Sequence, residues 1–110
     1  SHGPMSKIRL VLSSCPDLDS AERLAKLALE EHLVACVNMI PIASSMYLWK
    51  GEFMKEREYL LLAKSTEERL ADLESLWKAN HPYEVPEFLV MDAATSSKEY
   101  GEWVEKCCLG

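Results

Sequence analysis

Leu33-Val34-Ala35-Cys36-Val37-Asn38-Met39-Ile40-Pro41-Ile42-Ala43-Ser44-Ser45-Met46-Tyr47-Leu48-Trp49-Lys50-Gly51 is the stretch on which the reading of the fold turns. Leu33 to Ile40 is rich in strand formers, and Ser45 to Lys50 resumes an extended pattern. Pro41 between them marks a bend, a bulge or a sheet edge, because proline has no N–H for a ladder. Gly51-Glu52 supplies turn chemistry, and Glu58 to Lys64 returns as the next strand. This hairpin is too long for its domain. About 18 residues before the turn, at roughly 3.3 Å each, reach on the order of 60 Å if straight. A domain of this size has a radius of gyration near ~13 Å. The hairpin must bend at Pro41 or project. Its distal part is apolar on both faces, with Met46 and Leu48 on one side and Tyr47 and Trp49 on the other. Such a ribbon calls for cover from another chain.

Outward from the hairpin the pattern is regular. Upstream, Ile8 to Ser13 is a short buried strand closed by Cys15-Pro16-Asp17. Asp19 and Glu22 have the spacing of a capping box. Ala21, Leu24, Ala25 and Ala28 then form the stripe of an amphipathic helix ending near His32. Downstream, Ser65 and Glu68 repeat the capping-box spacing. Leu70, Leu73 and Trp77 mark the buried side of a second helix, which stops before His81-Pro82. Glu87 to Ala93 reads as a fourth strand. Lys98 to Cys107 reads as a last helix with Tyr100, Trp103 and Val104 at helical spacing. The order β-α-β-β-α-β plus a terminal helix predicts an α+β, ferredoxin-like domain with an antiparallel sheet and two helices on one face.

The chain has 110 residues and reads as a single domain over 5–110. Ser1-His2-Gly3-Pro4 reads as a remnant of an expression tag before a native Met5, so His2 is set aside. The net charge of −6 argues against nucleic acid as a partner, since phosphate contacts need clustered Lys and Arg. No apolar run reaches the length of a membrane span. With no secretory signal in view, the cytoplasm is the expected compartment. Its reducing conditions would keep the four cysteines as free thiols.

Several residues carry candidate chemistry. Cys15 falls between a strand end and a helix start, where the positive end of the helix dipole favours thiolate character. A thiolate suits copper or zinc; a small residue closing a turn is the plainer reading. Cys36, flanked by apolar residues, reads as core, and Cys107 and Cys108 as reactive surface thiols. Asn80-His81-Pro82-Tyr83-Glu84-Val85-Pro86-Glu87 packs an imidazole, a phenol and two carboxylates between two prolines that stiffen the backbone. His81 and Glu84 could coordinate a metal, with Glu84 or Glu87 orienting the imidazole. A rigid loop delivering the fourth strand explains the same residues equally well. Lys64, with Trp49 and Lys50, could hold a small anion, or be a solvated strand end. Glu52, Lys55, Glu56, Arg57 and Glu58 read as a wet hairpin tip. Tyr83, Glu84 and Lys64 could serve as acid–base groups, but no glycine-rich phosphate loop or GxSxG elbow is present. The chain therefore reads as a binding or sensing module and not an enzyme.

Ser14-Cys15-Pro16-Asp17, Leu33-Val34-Ala35-Cys36-Val37-Asn38, Tyr47-Leu48-Trp49-Lys50-Gly51, Lys64-Ser65-Thr66, His81-Pro82-Tyr83-Glu84-Val85-Pro86-Glu87 and Tyr100 with Trp103 occur in that order. The series resembles the CutA family of divalent-cation tolerance proteins. The resemblance implies a trimer of ferredoxin-like subunits, similar in architecture to the PII signalling proteins. It implies a cytoplasmic role in tolerance of copper and other divalent cations, and no enzymatic activity. For this chain it implies a metal site at His81, Cys15 and Glu84, with Cu²⁺ as the ion. Asn80 stands where a second histidine can occur. Asp92 replaces a usual proline, and Ser96-Ser97 a usual Gly-Asn. The alternative implied by the PII likeness is a sensor of a small anionic metabolite, in a cleft between subunits drawing on Tyr83, Glu87, Lys64 and Trp49. Either way the partners are further copies of the chain and a metal ion or small ligand.

Overall fold

Val11, Ser13 and Cys15 alternate along the first strand and meet Tyr59, Leu61 and Ala63 across the ladder, and this side of the sheet receives the helices. The computed structural model describes residues 6–110, so the reading of residues 1–4 as a tag remnant and of Met5 as the start lies outside the described residues. The elements are β1 (Ile8–Cys15), α1 (Leu18–Glu30), β2 (Cys36–Trp49), β3 (Glu52–Thr66), a 3-10 turn (Glu67–Arg69), α2 (Leu70–Asn80), β4 (Leu89–Asp92) and α3 (Lys98–Cys107). The strands lie in the order β2-β3-β1-β4, every neighbouring pair antiparallel. This is the expected ferredoxin-like α+β arrangement with a C-terminal helix.

The helices form where the apolar stripes fall, but their caps differ from expectation. Ala21, Leu24, Ala25 and Ala28 are buried along α1. Its cap is Asp17, whose Oδ1 accepts from the Ser20 N–H at 2.7 Å. Asp19 lies one residue inside the helix, where its charge faces the dipole instead of capping it. α1 ends at Glu30, and His32 then takes a left-handed φ of 57°. The N–H groups of His32 and Leu33 close on the carbonyls of Leu29 and Ala28, a Schellman closure. The second expected capping box does not form. Ser65 is buried in β3 and donates its hydroxyl to the Leu33 carbonyl at 2.6 Å, so it anchors the strand start in place of capping a helix. Trp77 fills the space between α2 and the sheet. Its indole N–H donates to the Leu24 carbonyl at 3.0 Å and its ring meets Phe88 edge-on.

The long hairpin projects. β2 runs unbroken through Pro41 to Trp49, with an irregularity between Ile42 and Ser45. Pro41 is tolerated because β2 is an edge strand. β1 stops pairing with β3 at Tyr59, so beyond that point the hairpin is a two-stranded ribbon without a third neighbour. The molecule accordingly measures 55 × 25 × 21 Å. Lys50 and Gly51 turn the ribbon with φ of 52° and 82°, the two positive values that a tight primed turn requires. On one face of the ribbon Met46, Leu48 and Phe53 are exposed, Phe53 at 80 %. An isolated ribbon of this kind is marginal in water.

α3 keeps its expected bounds, yet its buried residues are Gly101 and Val104, while Tyr100 and Trp103 stay exposed with their rings tilted against each other, centroids 5.5 Å apart. It packs over Ile8 and Ala35 on the sheet face opposite α1 and α2. Farther along, Ile40, Leu89 and Met91 remain exposed. The cysteines also depart from expectation. Cys36 is only half-buried, because it opens an edge strand, and its sulfur faces the Lys64 ammonium at 3.6 Å. Cys108 is buried under α3 beside Val104 and Ala35.

Candidate functional site

The end of β1, the middle of β3 and the 81–87 loop meet beside the base of the ribbon. The loop is held there by three hydrogen bonds. Ser13 donates its hydroxyl to the Glu87 carbonyl at 2.8 Å. His81 sets its Nε2 2.8 Å from the Ser14 carbonyl, and Tyr83 donates its backbone N–H to His81 Nδ1 at 3.0 Å. A backbone donor at Nδ1 requires a lone pair there, so the proton sits on Nε2, pointing at Ser14. Burial lowers the His81 pKa below 6.5, against smaller raising contributions from the Ser14 contact and the Glu58 charge. The neutral ring is the resting form near neutral pH.

Tyr83 reaches the other way. Its phenol donates to Glu58 Oε2 at 2.6 Å, a short charge-assisted bond. Burial, the bond to Glu58 and nearby negative charge all push the phenol far above its ordinary range. Glu58 is only 9 % exposed. The expectation of a wet charge run from Glu52 to Glu58 therefore fails at its end. Glu58 shares a face with Glu56 by the period of the strand, and that face turns towards the loop. The period-two spacing of Glu56 and Glu58, opposite Ser45 and Ile42, was the signal in the sequence for this pair.

The candidate residues divide as follows. Cys15 and His81 come together, with Sγ 3.8 Å from Nε2. Cys15 is 0 % exposed, and its thiol is pushed up to about 11, first by burial and then by the charges of Asp17 and Glu58. The thiolate weighed for this position thus gives way to the plainer reading, a buried thiol closing the turn, because desolvation outweighs the helix dipole. Glu84 is exposed and lines the cavity that His81 also borders. Among the described residues no three Asp, Glu, His or Cys side chains converge as a metal cluster. Trp49, Tyr83 and Glu87 line one cleft of about 600 Å³ between the ribbon and the loop. Lys64 does not. It pairs with Cys36 and contacts Asn38, six residues along β3 from Glu58, roughly 20 Å away at strand rise.

A ferredoxin-like domain with an overlong hairpin, whose base meets a proline-stiffened His-Pro-Tyr-Glu loop, defines a narrow class of α+β protein. The sequence profile of the CutA1 divalent ion tolerance protein family matches residues 9–107, and the chain belongs to that family. It is 39 % identical over 97 residues to the divalent-cation tolerance protein CutA of Thermus thermophilus, covering 88 % of this chain and 94 % of that one. The crystal structure of divalent ion tolerance protein CutA1 from Ehrlichia chaffeensis superposes with a TM-score of 0.90 at 27 % identity, covering 96 % of this chain and 98 % of that one. The periplasmic divalent cation tolerance protein CutA of Archaeoglobus fulgidus superposes with a TM-score of 0.89 at 31 % identity, covering 92 % and 98 %. The family is described by a tolerance and not by a reaction. Among the described residues no helix is long and apolar enough to cross a membrane.

Proposed function

We propose that the chain acts in divalent-cation tolerance as a homotrimer that binds its ion directly, with Cu²⁺ as the ion and Cys15 and His81 as the donor pair. The observation that carries this reading is the 3.8 Å separation of Cys15 Sγ and His81 Nε2. Ligand bonds of roughly 2.3 Å to sulfur and 2.0–2.1 Å to nitrogen, the values for zinc, span that gap around a single ion. Sulfur and imidazole together suit copper in donor type. Glu84, exposed at the rim of the cavity that His81 borders, is the residue available to add an oxygen. The pair is engaged in the free protein, the sulfur by its proton and Nε2 by Ser14, so binding costs both and the site is weak. Calorimetry with Cu²⁺ under anaerobic conditions on the wild type, Cys15→Ser and His81→Ala tests it. Loss of binding in both variants is expected, and unchanged affinity in both sinks the assignment.

The exposed Met46, Leu48 and Phe53 face of the ribbon supports assembly, as do Ile40, Leu89 and Met91 on the uncovered sheet face. Light scattering should give a trimer at micromolar concentration, and Leu48→Glu, on that exposed ribbon face, should loosen it; a stable monomer would refute it. Four free cysteines support a cytoplasmic setting. Because the Archaeoglobus relative is periplasmic, cell fractionation decides the compartment. The anionic-metabolite reading finds less support. The cleft lining includes Glu56, Glu58, Glu84 and Glu87 and no Lys or Arg.

A further inference from the structure

The cleft between the ribbon and the 82–87 loop shares only Glu84 with the residues of the copper reading. Cys15 and His81 do not line it. Its volume of about 600 Å³ is that of a small-molecule site. Three aromatic rings, Tyr47, Trp49 and Tyr83, supply apolar wall. Four carboxylates, Glu56, Glu58, Glu84 and Glu87, supply negative charge, with no lining cation to offset it.

Glu58 is the informative group. It is nine-tenths buried, and its Oε2 accepts from Tyr83. Its Oε1 has no hydrogen-bond donor among the described residues, and it is not a sealed buried atom, so it is open to the cleft. No Lys, Arg or His among the described residues pairs with Glu58. A buried carboxylate without a cation is costly, and a bound cation relieves that cost. The charge also weighs on its neighbours, since burial and Glu58 together raise the Glu87 pKa.

The arrangement selects the kind of cation. The carboxylates are spread around the walls and do not converge as a metal-binding trio among the described residues. A compact ion could meet one or two of them and would leave the aromatic walls idle. Alkylammonium groups are attracted to aromatic faces, most of all to Trp. Methylene spacers match the apolar wall, and separated ammonium groups match separated carboxylates. The geometry points to a small aliphatic polyamine as the ligand of this cleft, held by Glu58 and its neighbouring carboxylates against Trp49, Tyr47 and Tyr83.

Spermidine titrated into the full-length assembled protein by calorimetry tests this. Saturable binding is expected. Glu58→Gln and Trp49→Ala should each weaken it about tenfold or more, as loss of a charge-assisted or cation–π contact implies. Glu84→Gln, at an exposed position, should weaken it without risk to the fold. Glu22→Gln removes the same charge from the exposed face of α1 and should leave affinity unchanged. Cys15→Ser should also leave it unchanged, which separates this site from the copper pair. Absence of saturable binding overturns the proposal. So does an equal loss in Glu22→Gln, which would mean attraction to overall acidity, or equal displacement by Mg²⁺ and by NaCl of matched ionic strength in wild type and cleft variants alike.

Discussion

Tyr83→Phe removes one oxygen and tests how the loop is tied to the sheet. The lost contact is the 2.6 Å bond from the phenol to Glu58 Oε2. Hydrogen bonds to a charged group contribute about 1.5–3 kcal/mol net. Here the acceptor borders an open cleft, so water can take the place of the phenol. The expected loss is therefore about 1–2 kcal/mol. Replacing the carboxylate instead, by Glu58→Gln, leaves a neutral bond worth roughly 0.5–1.5 kcal/mol. The double variant should then lose less than the sum of the two, by about 1 kcal/mol. Urea unfolding of wild type, both single variants and the double variant measures this. Each must be followed at several protein concentrations, because assembly couples to stability. A Tyr83→Phe protein as stable as wild type, or a cycle with no coupling, would refute the view that this bond fastens the loop.

Three further outcomes follow from the same geometry. The His81 pKa lies below 6.5 in the fold, so between that lower value and 6.5 the unfolded chain binds more protons; stability is full above about 6.5 and falls as pH falls through this window. Wild type should lose stability there more steeply than His81→Gln in pH-dependent urea melts, and parallel curves would contradict it. Cys36 and Cys107, half-buried, should label with a thiol reagent before Cys15 and Cys108; mass mapping with Cys15 first would overturn the burial assignment. Trp77→Ala should cost about 3–5 kcal/mol, since a ring 2 % exposed leaves a cavity and its bond to the Leu24 carbonyl is lost; a loss below about 1 kcal/mol in urea melts would show that α1 and α2 repack.

The βαββαβ order was legible because each stripe is local: Ala21, Leu24, Ala25 and Ala28 define α1 without knowledge of anything else in the chain. That the hairpin must bend or project was legible from length alone; projection follows from the loss of a third strand beyond Tyr59. The caps were not, because Asp17 and Asp19 carry the same chemistry two residues apart, and only the extended backbone at Asp17, with φ −150° and ψ 167°, decides between them. Ser65 read as a cap because its demand from Leu33, 32 positions away, leaves no local trace. The loop 81–87 was recognisable as a site by its composition. Its partner Glu58 was hidden in a run of charges that alternate between water and the cleft. Cys15 lies 3.8 Å from His81, a proximity no local pattern reports, and its protonation depends on burial by distant elements, which the helix-start position does not report either. Lys64 was assigned to the cleft by type, whereas its register against Cys36 puts it at the far end of β3.

Whether an ion enters between Cys15 and His81 is tested most directly by the proton balance of binding. With its thiol at about 11, Cys15 carries a proton at pH 8 and must give it up to bind a metal as thiolate. His81, neutral already, releases no proton; it must move its own from Nε2 to Nδ1, which gives up the bond from the Tyr83 N–H. Anaerobic Cu²⁺ titrations at pH 8, in buffers of different ionisation enthalpy, should therefore show release of about one proton per ion. In Cys15→Ser the release should vanish along with most of the binding. Copper that binds wild type with no proton release, or releases the same amount from Cys15→Ser, would place the ion elsewhere.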